Sequence, residues 1–471
     1  MTSTAGMFVV PRIAPSQRVG ILRHLQTDAT SGFDTIALHG GHDPDPSIPY
    51  GLGYGAPRGV PLYRSTPFVF RDTEHARKLF ALEELGNIYS RLMNPTNHIL
   101  ESRYAQLEGG HPLSGLSVSS GTTAVFYAIA NLASAGDNIV ASSALYGGTY
   151  TMFNDILPTL GIEVRFVDGQ DPKDFAKVAD DKTRAFFCES VSNPSLTVFD
   201  LEAISKEAHN LGLPLICDST FSTPYLCRPF EYGADIIVSS LTKWVGGHGA
   251  CVGGMIVDKG GFNWGGGKHP VYDIPDTSYG GEAGLRWGHD LPDELQPLAY
   301  KLRALTVPLR NLGGCLAPDN AWMIVQGIET LSLRMERHCE NAMKVAEYLS
   351  DHPKVEWVRY PGLPGDSQYE KAQKYLKGKG GAMVVFGIKA SDGRLAGTQF
   401  IDTLKLHSHV ANVGDARSLA IHPASTTHSQ LKMAQQIAAG VPPEMVRLST
   451  GLESIEDIIA DLEQALDKVH G

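Results

Sequence analysis

The sequence has little charge and no long hydrophobic run. Charged residues make up 19% of its 471 residues, below the roughly 25% that is typical of soluble domains. No apolar run approaches the roughly 18 residues of a membrane-spanning helix, which predicts no membrane association. Apolar residues make up 42%, so the chain can bury large cores and is not a disordered protein. The formal net charge of −11 argues against a broad nucleic-acid-binding surface.

Cysteine is also scarce. The six cysteines lie far apart without a C-x-x-C pair, and several fall inside apolar runs such as AFFC and PLIC. This pattern predicts small buried apolar side chains rather than a disulfide framework or a zinc site. We therefore expect a reducing compartment and no metal.

The first 27 residues lack aspartate and glutamate but contain Arg12, Arg18 and Arg23. Such a composition is weakly similar to a mitochondrial transit peptide, although an ordinary tail explains it more simply. We expect a disordered extension over residues 1–32 of a cytoplasmic protein, with a mitochondrial location as the alternative. Residues 33–65 are rich in Gly, Pro and His, which predicts an irregular arm, and we assign residues 33–95 to it.

From about residue 100 to residue 258, short apolar runs alternate with helical patterns. Nearly continuous apolar runs are typical of strands in a parallel sheet that helices cover on both faces. The pattern predicts an α/β fold with a mostly parallel, doubly wound sheet in a large domain over residues 96–312. Strands are predicted at 116–120, 138–142, 162–168, 183–190, 214–220, 234–240 and 251–258, and helices at 121–133, 148–160, 173–179 and 200–212.

The rest of the chain has a different pattern. Residues 259–300 are rich in Gly, Trp and Pro, which predicts a surface excursion. A long helical region follows at 319–349, and the remainder mixes short strands with helices. We therefore predict a smaller α+β domain over residues 313–471.

Polar residues follow several of the predicted strands. Ligands of open α/β sheets bind at the carboxyl ends of the strands, so these residues mark a candidate site. They are Ser119 through Thr123, Glu189 with Asn193, Asp218 with Thr220, and Ser240 through Lys243. The first group begins a helix, where free N–H groups favour a phosphate. A lysine among apolar residues and glycines can form a Schiff base, and Asp218 can pair with a protonated pyridine nitrogen. Together these are the parts of a pyridoxal phosphate (PLP) site.

The motifs SSGTTA, LYGGT, ESVSNP, CDSTFSTP, SLTK and VRLSTGLE occur in this order along the chain. In these motifs the sequence resembles the Cys/Met-metabolism family of PLP-dependent enzymes, which have fold type I. Within the family it is most similar to O-acetylhomoserine sulfhydrylases. The resemblance extends from FDTIALHGG (33–41) to RLSTGLE (447–453) and onward, which is nearly the whole chain except the N-terminal tail.

The resemblance implies a role for each matching residue. Lys243 corresponds to the Schiff-base lysine and Tyr146 to a catalytic tyrosine that stacks on the cofactor ring. The implied cofactor-binding residues are Lys243, Asp218, Tyr146, Ser120, Gly121, Thr122, Thr220, Ser240, Thr242, Asn193, Tyr89 and Arg91. The implied substrate-binding residues are Arg447, for the α-carboxylate, with Ser418 and Asn193. Thr122 departs from the family, which usually has methionine there, but its expected contact is through the backbone.

The resemblance also implies an activity and an assembly. The expected reaction is replacement of the acetate of O-acetyl-L-homoserine by sulfide, giving L-homocysteine for methionine or cysteine biosynthesis. Tyr89 and Arg91 are expected to reach the neighbouring subunit's site from the arm, in a dimer or a dimer of dimers. A cystathionine γ-lyase or γ-synthase-like enzyme and a catalytically silent relative remain alternatives. The preferred acyl group, and the effect of Gly280 where related sequences usually have histidine, stay open.

Overall fold

A computed structural model describes residues 31–42, 44, 57–430, 432–438 and 440–469. The expected disordered extension thus lies almost entirely outside the described residues, as does much of the Gly- and Pro-rich part of the arm. Among the described helices, none is long and apolar enough to cross a membrane.

The first sheet has seven strands in the order β1-β7-β6-β5-β4-β2-β3. Strands β2 to β6 are parallel, and β7 is antiparallel to both of its neighbours, β1 and β6. The mostly parallel sheet predicted from the apolar runs is therefore confirmed. The strands are β1 Gly115–Val118, β2 Asn138–Ser142, β3 Glu163–Val167, β4 Thr183–Glu189, β5 Leu215–Asp218, β6 Ile236–Ser240 and β7 Gly254–Asp258.

Helices lie in the arm and around this sheet. Side-chain caps begin two of them: Ser120 accepts a hydrogen bond from Thr123 N–H, and Asp200 accepts one from Ala203 N–H. The α-helices between residues 33 and 312 are α1 Phe33–His39, α2 Thr73–Phe80, α3 Pro95–Leu107, α4 Gly121–Ala130, α5 Gly147–Thr151, α6 Pro172–Val178, α7 Leu201–Asn210, α8 Thr223–Leu226, α9 Pro270–Asp273, α10 Ala299–Ala304 and α11 Arg310–Leu312. Short π and 3₁₀ turns are Met152–Ile156, Leu157–Leu160, Pro229–Tyr232, Gly281–Ala283, Gln296–Leu298 and Leu305–Leu309.

The second sheet has five strands in the order β10-β11-β12-β9-β8 and is antiparallel except between β10 and β11. Its strands are β8 Val355–Arg359, β9 Met383–Ile388, β10 Ser408–His409, β11 Leu419–Ile421 and β12 Met445–Ser449. The helices around it are α12 Pro318–Glu329, α13 Leu331–Asp351, α14 Tyr369–Tyr375, α15 Gly393–Thr403, α16 Met433–Ala438 and α17 Ile455–Asp467, with a 3₁₀ turn at Pro423–Ser425.

Two predicted helices are divided. The helical region 319–349 is interrupted at Thr330, whose backbone (φ −116°, ψ 13°) is not helical. The segment predicted as one helix at 148–160 passes from α5 through a π turn to a 3₁₀ turn that contains Pro158. Proline lacks the N–H that a continuing α-helix requires.

The prediction of a surface excursion over residues 259–300 is wrong for its aromatic residues. Trp264, Tyr272, Trp287 and Tyr300 are at most 2% exposed and belong to an apolar core beside the first sheet. Trp264 stacks on Tyr272 and on Tyr300 with ring centres 5.0 and 5.1 Å apart. Glycines between these rings, among them Gly267 and Gly284, have positive φ, which lets the chain turn there. The aromatic side chains of this segment are therefore part of the core, whereas residues between them such as Ile274 are exposed.

Candidate active site

Most of the predicted site residues meet in one cavity of about 310 Å³ at the carboxyl ends of β4, β5 and β6. The start of α4 lines the cavity as well, and residues 411–413 with Arg447 of the second sheet complete it. Of the residues predicted from the sequence, those lining the cavity are Ser120, Gly121, Thr122, Tyr146, Asn193, Asp218, Thr220, Ser240, Thr242, Lys243 and Arg447.

The start of α4 provides a cradle for an anion. Within the described residues, no acceptor takes the backbone N–H groups of Gly121 and Thr122, and both residues face the cavity. The end of β6 approaches so closely that a Cβ at Gly121 would lie 2.5 Å from the Cβ of Ser240. Only glycine fits there. Free N–H groups at a helix N-terminus beside a serine suit a phosphate.

Two carboxyl groups lie side by side in the cavity. Asp218 of β5 and Glu189 of β4 are paired residues of neighbouring parallel strands, and both line the cavity. Burial raises the pKa of Asp218, while hydrogen bonds from Thr220 oppose this rise. Burial and the neighbouring charge of Asp218 raise the pKa of Glu189. A cation in the cavity would stabilise this pair.

Lys243 follows β6 and reaches the loop between β10 and β11. Its Nζ donates a hydrogen bond to Asn412 Oδ1 at 2.6 Å. Burial lowers the pKa of Lys243, and the charge of Arg447 lowers it further. A lysine with a lowered pKa is more often neutral, and the neutral amine is both a nucleophile and a base.

Arg447 of β12 brings the second sheet to the cavity. Its Nη1 donates a hydrogen bond to Asn193 Oδ1 at 2.9 Å, which orients the guanidinium. Burial lowers the pKa of Arg447 to about 10, so the group remains a cation near neutral pH. Its planar fork suits a carboxylate that binds through both oxygens.

Two further residues were not identified from the sequence as part of the site. Asn412 lies in a loop whose Gly414, at φ +80°, packs against the backbone of Lys243 and Trp244. Arg334 is buried and donates hydrogen bonds to the carbonyls of Trp244 and Val245 at 2.5 and 3.1 Å, which fixes the loop after Lys243. Neither carries a sequence signal, because each contact joins segments far apart in the chain.

Ser418 is not among the residues that line the cavity. It is fully buried, its hydroxyl donates to Glu453 Oε2 at 2.9 Å, and it accepts the N–H of Gly451 at 2.9 Å. In the single chain these two contacts occupy the hydroxyl of Ser418, and its assistance to Arg447 in binding the substrate stays a prediction.

Tyr89 and Arg91 also lie outside this cavity in the single chain. Both are exposed, and the Arg91 guanidinium lies 5.4 Å from the centre of the Tyr89 ring. Their position on the surface of the arm leaves them accessible to another molecule.

Comparison with known proteins identifies the family. The profile of the family described as Cys/Met metabolism PLP-dependent enzyme matches residues 34–467. The chain belongs to this family. A relative from Leptospira meyeri named O-acetyl-L-homoserine sulfhydrylase is 52% identical over 442 residues, covering 93% of this chain and 97% of that protein. O-acetyl-L-homoserine sulfhydrylase 1 of Thermus thermophilus is 50% identical over 436 residues, covering 92% of this chain and 99% of that protein.

A solved structure agrees with the fold. The Campylobacter jejuni metY protein, assigned as an O-acetylhomoserine (thiol)-lyase, superposes with a TM-score of 0.86 at 40% identity. The match covers 93% of this chain and 100% of that one, and that structure contains N'-pyridoxyl-lysine-5'-monophosphate. PLP fold type I, predicted from the motifs, is confirmed.

The cavity fits PLP in its donors and charges. The free N–H groups at the start of α4 suit the phosphate, and the buried carboxyl of Asp218 suits a protonated ring nitrogen. Lys243 supplies an amine beside Thr242. The hydroxyl of Thr242 donates to the carbonyl of Gly253 at 3.2 Å and accepts its N–H at 3.1 Å, which fixes the strand end from which Lys243 projects.

Proposed function

We propose that this protein is a PLP-dependent O-acetyl-L-homoserine sulfhydrylase that forms L-homocysteine and acetate from O-acetyl-L-homoserine and sulfide. The observation that carries the proposal is the meeting of Lys243, Asp218 and Arg447 around one cavity. These groups are the base, the ring-nitrogen partner and the carboxylate receptor that the reaction on an amino acid requires. The names of the relatives from Leptospira meyeri and Thermus thermophilus support the choice of substrate.

Each residue has a distinct part in this proposal. When bound, PLP withdraws electrons from the amino-acid carbons and so makes loss of a proton and of acetate possible. Arg447 binds the α-carboxylate, and its hydrogen bond to Asn193 holds the guanidinium in place. The neutral amine of Lys243 takes the proton from Cα and returns one later, which its lowered pKa favours. Tyr146, half exposed in the single chain, is free to stack on the ring.

The bonds balance in this reaction. The Cγ–O bond of the ester breaks and acetate leaves, and hydrosulfide then forms the new C–S bond at Cγ. One hydrosulfide replaces one acetate at Cγ, so the amino acid undergoes no net oxidation or reduction, and Lys243 returns the proton that it takes. No other co-reactant is required.

Product analysis with the purified, PLP-loaded protein tests the proposal. O-acetyl-L-homoserine with sulfide is expected to give homocysteine, beside matched reactions with the succinyl ester, O-acetylserine and cystathionine alone. Homocysteine formed mainly from the acetyl ester supports the proposal and ranks the leaving groups. Keto acid from cystathionine, without any sulfide-dependent thiol, would instead assign the protein to the lyases.

We also propose that the enzyme is a cytoplasmic homo-oligomer, a dimer or a dimer of dimers, in which Tyr89 and Arg91 contact the PLP phosphate of a neighbouring subunit. The exposure of both residues outside their own cavity supports a shared site. None of the six cysteines, all of which are described, forms a disulfide, in keeping with a reducing compartment.

A further inference from the structure

Glu189 has no part in the proposed chemistry, yet it lies inside the site. It ends β4 beside Asp218 and is 4% exposed. A second buried carboxyl next to Asp218 is costly, because the two like charges repel each other in a place that water does not screen. A residue with this cost calls for a specific explanation.

The contacts of Glu189 provide one. Its Oε1 accepts the backbone N–H of Tyr146 at 2.6 Å, and its Oε2 accepts the backbone N–H of Asn193 at 3.2 Å. Each carboxylate oxygen thus binds a different loop. One loop carries the tyrosine that lines the cavity, and the other carries the asparagine that orients Arg447.

We propose that Glu189 is a positioning residue that joins the Tyr146 loop and the Asn193 loop into one rigid wall, so that the cofactor ring and the substrate carboxylate are held in a fixed relation. The inference rests on the proposed function, since it takes Tyr146 as the ring-stacking residue and Arg447 as the carboxylate receptor. Glu189 acts through the two backbone N–H groups and not by direct proton transfer.

Geometry explains why glutamate is required. Two N–H donors face this side chain, and only a carboxylate offers an acceptor oxygen to each of them. Glutamine at this position would turn its NH₂ group toward one of the two donors and lose that bond. Aspartate would keep the charge, but it is one methylene shorter and cannot reach both loops from the same strand position.

The test uses the PLP-loaded holoenzyme and the variant Glu189→Gln. Two affinities are measured without turnover: PLP dissociation by cofactor fluorescence, and binding of glycine by the change in cofactor absorbance. Glycine has a carboxylate for Arg447 but no leaving group. Because one of the two hydrogen bonds that join the loops is lost, we expect one or both dissociation constants to rise by about tenfold to a hundredfold.

Glu108→Gln is the matched control. Glu108 is equally buried and accepts a hydrogen bond from Tyr104 at 3.0 Å, but it does not line the cavity. Its substitution is expected to lower thermal stability while both dissociation constants stay within about twofold of wild type. If Glu189→Gln behaves like this control, Glu189 has only a structural role and the proposal is overturned.

Glu189→Asp keeps the carboxyl group but shortens the side chain, so it separates the effect of geometry from that of charge. It replaces the glutamine variant in the test if that variant does not fold. The proposal expects the aspartate variant to weaken PLP and glycine binding as well. Wild-type affinities in this variant would show that the charge alone matters and would overturn the proposal. Neither readout needs sulfide or O-acetyl-L-homoserine, so a holoenzyme that proves to be a lyase would refute the proposed function and leave this test valid.

Discussion

At the residue scale, the environment of Lys243 decides its chemistry. Burial and the charge of Arg447 both destabilise the ammonium form, so they favour the neutral amine. The side-chain amide oxygen of Asn412, 2.6 Å from Nζ, orients that amine without adding a charge. An amide is the suitable partner here, because a carboxylate would favour the ammonium form.

Replacement of the lysine tests its role as the base. Lys243→Ala is expected to lower sulfide-dependent homocysteine formation by at least about 10³-fold, because it is the only lysine among the described residues that line the cavity. The variant should still bind PLP noncovalently, and borohydride should no longer fix the cofactor to the chain. Lys259→Ala, at an exposed position, should retain activity and covalent trapping. Substantial turnover by Lys243→Ala would remove this lysine from the mechanism.

A second substitution tests the contact between Lys243 and the uncharged amide of Asn412. Asn412→Asp places a carboxylate beside Lys243 and is expected to raise the pKa of the lysine. The fraction of neutral amine rises with pH, so the acidic limb of the kcat profile should move to higher pH by about one unit. Asn210→Asp adds the same charge at the end of α7, before β5 begins, and should leave the profile unchanged. An unshifted profile in Asn412→Asp would contradict the assigned contact.

At the element scale, the segment between β7 and α10 shows how glycine-rich sequence can form core. Its tryptophans and tyrosines stack on one another beside the first sheet, while exposed residues such as Ile274 lie between them. Buried aromatic area of this kind stabilises a fold far more than a surface loop would.

Two substitutions in this segment separate the buried and exposed positions. Trp264→Ala is expected to lower the free energy of unfolding by about 3–5 kcal/mol, because it leaves a cavity in the core. Ile274→Ala, at a side chain that is 61% exposed, should change it by less than about 0.5 kcal/mol. Denaturant unfolding of the PLP-free protein measures both values. Equal small effects would restore the interpretation of the segment as a surface excursion.

At the scale of the whole molecule, the cavity of one chain lacks the arm residues Tyr89 and Arg91. If a partner supplies them, two differently damaged chains can complement each other. A site in a mixed dimer would take Lys243 from one chain and Arg91 from the other.

Co-expression of two variants tests this shared site. Lys243→Ala is expected to be inactive alone, and Arg91→Ala to be strongly impaired because it lacks a cation for the phosphate. With random pairing, half of the dimers are mixed and each has one intact site, so about a quarter of wild-type activity should appear. Activity no higher than the average of the two parents would place Arg91 outside the catalytic site.

The matched control for this experiment pairs Lys243→Ala with Arg447→Ala. Both residues line the cavity of the same chain, so each chain of a mixed dimer carries one damaged site and neither site is intact. Co-expression of this pair should therefore restore no activity. Restored activity in the control would mean that one subunit also supplies Lys243 or Arg447 to the site of its partner.

The sequence alone was enough to predict most strands and the cofactor, and it named most of the polar residues that line the cavity. Apolar runs such as NIVAS and TRAFFCE could be predicted as strands, because a strand that is covered on both faces is apolar along its whole length. The carboxyl ends of parallel strands meet at one edge, so the strand pattern by itself places Asp218 and Lys243 together.

The contacts between distant segments could not be predicted from the sequence. Asn412 and Arg334 reach Lys243 and its loop from the second half of the chain, and Ser418 is directed to Glu453 instead of the cavity. The antiparallel direction of β7 and the burial of Trp264 likewise depend on which surfaces meet in space. Local sequence encodes backbone preference and the chemistry of each side chain, whereas the partner of a side chain is fixed by packing between elements.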